Sequence, residues 1–184
     1  AERRMWDSID TIPDGFAVCD SAQRMAVANR AYLSFFEGTA VASGIAYADL
    51  LAITAREGIV ALGGGSADEW IAMMLARWDA DVIEPIDLPL RGGHWVRVAD
   101  RRARDGDIVS LVIDITAQMR IWAAIEAIPD GFVLFDREDR LLTCNQRYRD
   151  TYPASAPAMV PGALFEDILR HGLALWDTLE SCTI

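Results

Sequence analysis

Ile12-Pro13-Asp14-Gly15-Phe16 is written twice in this chain, the second time as Ile128-Pro129-Asp130-Gly131-Phe132. Around this pentapeptide the match widens to the whole stretch from Arg4 to Tyr32. A shift of 116 positions, with no gap, lays Arg4 and Trp6 on Arg120 and Trp122, and Ile9 on Ile125. The same shift lays Asp20 on Asp136, Arg24 on Arg140, and Asn29 and Tyr32 on Asn145 and Tyr148. Twelve of the 29 aligned positions are identical, where ordinary residue frequencies give roughly two by chance. The chain is read as a tandem repeat whose period is that of a small domain and not of a solenoid unit.

The repeated stretch predicts a helix over residues 3–12, with Met5, Trp6, Ile9 and Ile12 on one apolar face. Pro13-Asp14-Gly15 ends it, because proline cannot continue a helix and Asp-Gly favours a turn. Strands follow at 16–19 and 25–28, joined by the polar loop 20–24. Asn29 is placed to cap a helix over 30–36. A further helix over 47–57 turns Leu50, Leu51 and Thr54 inward. Gly63-Gly64-Gly65 lacks the spacing and the trailing Lys-Ser or Lys-Thr of a phosphate loop. Ser66 and Glu69 form a capping box, opening a helix whose Trp70, Met73, Met74 and Trp78 recur at core spacing.

From residue 82 the period drops from helical to two. Ile86, Leu88 and Leu90 alternate with polar positions, Gly92-Gly93 turns the chain into a strand over 94–102, and 104–107 turns it into another over 108–115. These three strands form an antiparallel meander. Thr116 is placed to cap a helix over 117–127, the second copy of the starting helix. The second copy predicts strands at 132–135 and 141–144, a short helix from 146, and a last helix over 163–179. Tyr47-Ala48-Asp49-Leu50-Leu51 matches Phe165-Glu166-Asp167-Ile168-Leu169 once two residues are inserted. No second meander follows, so the second copy is about half a domain.

Composition excludes several functions. A chain of 184 residues, 52% hydrophobic and 24% charged, has room for one or two globular domains. Its net charge of −11 opposes both a phosphate-tracking nucleic-acid surface and an anionic membrane face. Cys19, Cys144 and Cys182 have no metal spacing and read as buried or free thiols of a reducing, cytoplasmic compartment. No apolar run reaches the roughly 20 residues of a membrane span. The chain starts at Ala1 and reads as a piece of a longer protein. With two histidines, His94 and His171, and turn-bound carboxylates such as Asp14 and Asp130, no constellation asks for catalysis or for a metal.

Two strands, a helical middle, three strands and an exit helix make an order that resembles the PAS sensor domain. The resemblance is carried by Ile-Pro-Asp-Gly-Phe in each copy and by Asn29-Arg30-Ala31-Tyr32 and Asn145-Gln146-Arg147-Tyr148. Arg91-Gly92-Gly93-His94-Trp95-Val96-Arg97-Val98, in the manner of a central strand, and Asp114-Ile115-Thr116 before the exit helix complete it. The chain looks like the tandem PAS modules found ahead of bacterial histidine kinases or cyclic-dinucleotide enzymes. The resemblance implies an α+β fold: a five-stranded antiparallel sheet with helices over one face and a cavity between them. It also implies signal transfer through flanking helices that dimerise. The boundaries expected on it are an N-terminal helix (1–12), a first PAS domain (13–117), a linker helix (118–128) and a partial second PAS domain (129–184).

The departures matter for cofactors. The flavin photoreceptors of the family carry a reactive cysteine in an Asn-Cys-Arg-Phe run, and neither copy has it, Cys144 standing before its Asn. The haem branch needs an axial histidine that 47–57 lacks, and His171, on the corresponding helix of the second copy, has no sheet to close a pocket. Neither a flavin adduct nor haem is therefore expected. The chain is expected to be a non-catalytic regulatory module that passes the state of its first domain through Asp114 and Thr116 into helix 117–127. A homodimer seam would use Met5, Trp6, Ile9, Ile12, Ile121, Trp122 and Ile125. Two alternatives stand beside it. One is a ligand-free dimerisation scaffold whose cavity is filled by Phe16, Trp70, Met73 and Trp95. The other is a small-molecule receptor with a pocket lined by Tyr47, Leu51, Trp70, Trp95 and Val96.

Overall fold

The computed structural model describes residues 8–181, and the side chains of residues 8–174. It divides into two compact units at Ala117 and Gln118. In the first, strands β1 (Gly15–Cys19) and β2 (Met25–Ala28) are followed by helices α1 (Arg30–Ser34), α2 (Tyr47–Arg56) and α3 (Ala67–Asp79). Strands β3 (Ile86–Leu90), β4 (His94–Arg102) and β5 (Ile108–Asp114) come next. The five strands make one antiparallel sheet in the order β2-β1-β5-β4-β3. The meander thus closes back on the first hairpin, with Phe16 opposite Leu111 and Val18 opposite Val109. This is the expected α+β architecture, with strand and helix ends within two residues of the sequence reading.

Alternation fixes which side of the sheet is core. Ala17 and Cys19 of β1, Val96 and Asp100 of β4, and Ile108, Ser110 and Val112 of β5 are buried. They pack with Tyr47, Leu50 and Leu51 of α2 and with Met74 and Trp78 of α3. The opposite parity, Phe16, Val18, Trp95, Val109, Leu111 and Ile113, is half-buried on the other face. Ser66 accepts the Glu69 N–H at 3.5 Å, which is half of the expected capping box: the Glu69 side chain does not return a bond to the Ser66 N–H. The expected stripe on α3 divides: Met74 and Trp78 are buried, Trp70 is half-buried, and Met73 is exposed at 42%.

Asn29 ties the repeated stretch together. Its Oδ1 accepts the N–H groups of Phe16 and Tyr32, both at 2.9 Å, and its Nδ2 donates to the carbonyls of Asp14 at 3.0 Å and Ile9 at 3.2 Å. One buried side chain therefore caps α1, anchors β1 and fixes the turn before it. Gly15 is required for a second reason besides the turn. A Cβ there would meet the Tyr32 Cα, the Phe35 ring and the Val112 side chain, each at 3.2 Å. The Asp20 carboxylate accepts from the N–H groups of Ala22 at 3.0 Å and Arg24 at 2.9 Å, which lets Gln23 take a φ of +57°.

The second unit holds helix α4 (Thr116–Glu126) from Gln118 on, β6 (Val133–Phe135), β7 (Leu141–Cys144), α5 (Gln146–Thr151) and α6 (Phe165–Ser181). Over the repeated stretch it makes the same side-chain bonds as the first unit. Asn145 accepts from Phe132 at 2.8 Å and Tyr148 at 3.0 Å, and donates to Asp130 at 2.9 Å and Ile125 at 3.3 Å. Asp136 accepts from Glu138 at 2.9 Å and Arg140 at 2.8 Å. Gly131 sits 3.2 Å, measured from its would-be Cβ, from the Tyr148 Cα. Arg24 donates to the Gly44 carbonyl at 2.9 Å, and Arg140 to that of Gly162 at 3.0 Å. Gly44 and Gly162 are 118 positions apart, which is the shift of 116 plus the two inserted residues.

What differs is the cover. Among the described residues the second unit has two strands. Its small core is Leu141, Cys144, Met159 and Ile168. Tyr47 is 6% exposed and its counterpart Phe165 is 40%; Leu51 is 2% exposed and its counterpart Leu169 is 47%. In the first unit those positions lie under the meander.

Of the helix expected over 3–12, residues 3–7 lie outside the described residues. Ser8 and Ile9 are helical, and bonds from Thr11 to Ser8 and from Ile12 to Ile9 close the chain in a turn before Pro13.

Candidate functional site

Between the sheet and helices α1, α2 and α3 the first unit encloses a cavity of about 70 Å³. Its wall is mostly apolar, with Leu51, Ile59, Met74 and Val96 among its residues, and it includes Tyr32, Tyr47, Thr54, Trp70, Asp100 and Ser110. Tyr47, Leu51, Trp70 and Val96 stand where the pocket reading put them. Trp95 does not: as the neighbour of Val96 on β4 it has opposite parity and faces the other side of the sheet. The expected filling of the cavity fails for the same reason. Phe16 has the outward parity of β1, Trp95 that of β4, and Met73 is exposed on α3, so of the four only Trp70 reaches the wall.

The floor of the cavity is a buried charge. Asp100 is 3% exposed; its Oδ2 accepts from Arg77 Nη1 at 2.6 Å and Trp78 Nε1 at 3.0 Å, and its Oδ1 accepts from the Ser110 hydroxyl. Arg77 also donates to the Glu84 carbonyl at 2.9 Å and the Val98 carbonyl at 3.3 Å. A buried carboxylate persists only when paired and hydrogen-bonded, and here α3 supplies two of the three partners and β5 the third. Tyr47 stacks on Trp78 with ring centroids 3.4 Å apart and planes within 3°. Burial, and after it the Asp100 carboxylate, push the Tyr47 hydroxyl above its ordinary range. Burial first, then Asp100, Asp20 and Asp107, push the Cys19 thiol up to about 12. Asp100, Arg77 and Ser110 were missed in the sequence. The signal was there: Asp100 shares parity with Val96 and Val98, which puts a carboxylate on an otherwise apolar strand face.

A groove of about 280 Å³ shares Phe35, Ile59, Leu90 and Val96 with the cavity and adds Arg91, His94 and Asp114. Asp114 and Thr116 join the sheet to α4, though the division of labour differs from the expected one. Thr116 does not cap α4. Its hydroxyl accepts the Trp95 N–H of β4 at 3.0 Å, and the Asp114 Oδ1 accepts the Thr116 N–H at 2.8 Å. The carboxylate two residues earlier thus holds the first N–H of the helix, and the threonine is left to bind β4. Of the expected dimer seam, Met5 and Trp6 lie outside the described residues. Ile9, Ile12 and Ile125 are half-buried, Ile121 is 62% exposed and Trp122 is 41% exposed. His94 and His171 are both exposed, and Cys19 and Cys144 are buried free thiols. Among the described residues no helix is long and apolar enough to cross a membrane.

This architecture has relatives. A family model described as PAS fold matches residues 9–122 and 125–178. The chain therefore belongs to the PAS fold family, whose members are typically sensory signalling modules. Over 74 residues it is 32% identical to the non-motile and phage-resistance protein of Caulobacter vibrioides, a match covering 34% of this chain and 9% of that protein. Among solved structures it is similar to the PAS domain of BvgS from Bordetella pertussis. That likeness has 24% identity and a TM-score of 0.41, over 67% of this chain and 92% of the other. It is also similar to a domain of a sensory box sensor histidine kinase/response regulator from Geobacter sulfurreducens, with 19% identity and a TM-score of 0.36, over 61% and 93% of the two chains.

Proposed function

We propose that the chain is a regulatory sensor module without catalysis of its own, built from two PAS copies in tandem. The state of the first copy passes through Asp114 and Thr116 into α4. The observation that carries this reading is the Thr116 hydroxyl on the Trp95 N–H. Trp95 adjoins Val96, whose side chain lines the cavity, and Thr116 is the first residue of α4. A change at the cavity wall that shifts β4 therefore pulls on the start of the helix. The matching networks of Asn29 and Asn145 support the tandem arrangement. In a longer protein the output would be a histidine kinase or a cyclic-dinucleotide enzyme, in the cytoplasm.

Hydrogen exchange on the whole chain tests the relay. Thr116→Val removes both hydroxyl bonds to Trp95, the acceptance of its N–H at 3.0 Å and the longer donation to its carbonyl at 3.4 Å, together worth about 1 kcal/mol or more, so first-turn amides of α4 should exchange at least about fivefold faster. Unchanged protection across 117–127 refutes the relay.

Dimerisation through the flanking helices is part of the proposal, favoured by the exposure of Ile121 and Trp122 on α4. Sedimentation equilibrium should give a dimer that Trp122→Glu dissociates. A monomer at every concentration removes the seam. A ligand-free scaffold is the weaker reading, because Phe16, Met73 and Trp95, which were to fill the cavity, stand elsewhere.

A further inference from the structure

The outer edge of the first sheet is open at Asp87. β3 pairs with β4 on one side. On the other, Val60 bridges Leu90, the Ala61 N–H donates to the Pro89 carbonyl at 2.8 Å, and the Arg91 N–H donates to the Ile59 carbonyl at 3.0 Å. Pro89 and Arg91 thus turn their backbone groups away from β4, and alternation turns those of Asp87 the same way. The covering segment leaves before it reaches them. Gly63 and Gly64 take positive φ, and the Gly65 N–H donates to the Leu62 carbonyl at 2.9 Å. The Asp87 N–H and C=O therefore face outward with no strand beside them among the described residues.

A groove of about 440 Å³ opens at that edge, between β3, segment 60–66 and the first turns of α3. Val60, Leu62, Trp70, Met73, Ile86 and Leu88 give it apolar walls. Met73 and Val82 are the large apolar side chains that the first unit leaves exposed among its described residues, and Met73 lies in this groove. The rim is acidic. From Asp68 to Asp87 the sequence has six carboxylates and one cation, Arg77. Arg77 is taken by Asp100, and Asp87 is held by Arg97 through bonds of 2.6 and 2.8 Å. Asp68 and Glu69 stay exposed on the first turn of α3, with no ion pair among the described residues. The helix dipole accounts for two carboxylates there. It does not account for an exposed methionine and an open strand edge beside them. At a net charge of −11 a second copy of the chain would bring more of the same sign.

We propose that this groove docks an extended, basic segment of a partner protein. The segment adds a strand to β3 at Asp87, lays an apolar side chain on Met73 and Trp70, and sets Arg or Lys against Glu69. The surface is separate from the relay through Asp114 and Thr116, and either can fail without the other.

The probes are two short peptides, acetyl-Lys-Val-Leu-Val-Lys-amide and the same peptide with Glu in place of each Lys. Each is titrated into the whole chain while ¹H–¹⁵N spectra are recorded. The Lys peptide should give saturable shifts of the Asp87, Leu62 and Gly65 amides, and the Glu peptide should bind at least about tenfold more weakly. Met73→Glu changes an exposed side chain, so the fold is kept, and it should weaken the Lys peptide about tenfold. Glu69→Lys should narrow the gap between the two peptides to about threefold or less, while Asp81→Lys, outside the groove, leaves it near tenfold. No saturable shift, equal binding of the two peptides, or binding that Met73→Glu leaves intact overturns the proposal. So does an equal effect of Glu69→Lys and Asp81→Lys, which would reduce the attraction to net charge. Shifts of the same amides with protein concentration alone would make a second copy the occupant, and they overturn it as well.

Discussion

Replacing Asn29 by aspartate tests the reasoning more sharply than replacing it by alanine. At an ordinary helix N-cap, Asn and Asp are equivalent, because only an acceptor is used. Here the acceptor half of the amide serves Phe16 and Tyr32, and the Nδ2 half serves two carbonyls, Asp14 at 3.0 Å and Ile9 at 3.2 Å. Asn29 is 2% exposed, so no water can replace a lost partner. Asn29→Asp keeps both bonds to Oδ1 and sets a second oxygen against two carbonyl oxygens. Two lost bonds at about 1 kcal/mol each, plus the repulsion, give a loss of about 2–3 kcal/mol. Asn29→Ala strands two donors and two acceptors and should cost about 3–4 kcal/mol. The assay is urea unfolding followed on amide cross-peaks of β1, β4 and β5. With a slope near 1.5 kcal/mol/M, the midpoint should fall by about 1.5–2 M for the aspartate variant. A loss under about 0.5 kcal/mol for Asn29→Asp would show that Asn29 is a helix cap and nothing more.

Other consequences follow from the same packing. Gly15→Ala should cost about 1–3 kcal/mol of first-unit stability, since its Cβ meets the Tyr32 backbone at 3.2 Å; chemical denaturation that leaves the midpoint unchanged contradicts this. Asp100→Asn should cost about 3–5 kcal/mol by leaving Arg77 buried with no carboxylate, and an unchanged thermal midpoint would refute it. Gly172→Ala should instead stabilise α6 by about 1 kcal/mol. The new Cβ meets the Ser155 hydroxyl oxygen, which can rotate away, while the Ser155 Cβ stays at 3.5 Å; faster exchange along α6 would disprove it. Tyr32 and Tyr47 have hydroxyls raised above their ordinary value of 10, chiefly by burial. Their contribution is complete below pH 10 and is lost as pH rises towards the folded values, because the unfolded chain ionises first. The melting temperature of the first unit should therefore fall above about pH 10, and a flat profile to pH 12 would show that these hydroxyls are not buried.

The repeat made the fold legible. Pro13-Asp14-Gly15 and Asn29 each act within about 20 residues of themselves, so their chemistry is written locally and appears twice in the same form. Strand parity was legible too, since period two along β4 and β5 sets each residue's face before any packing is known. Treating Trp95 and Val96 as wall residues together ignored that rule, and the structure separates them. What the chain order could not supply is which elements meet. That Arg77 and Trp78 converge on Asp100 depends on α3 crossing over β4, and that Thr116 serves Trp95 and not its own helix depends on β5 ending beside the start of β4. The fate of equivalent residues was decided there as well. Tyr47 and Phe165 occupy the same place in two matching segments, yet one is buried and the other open, because burial belongs to the sheet laid over a residue and only the first copy has that sheet among the described residues. The cavity of the first unit is likewise a product of tertiary structure: it is the space that several distant segments fail to fill.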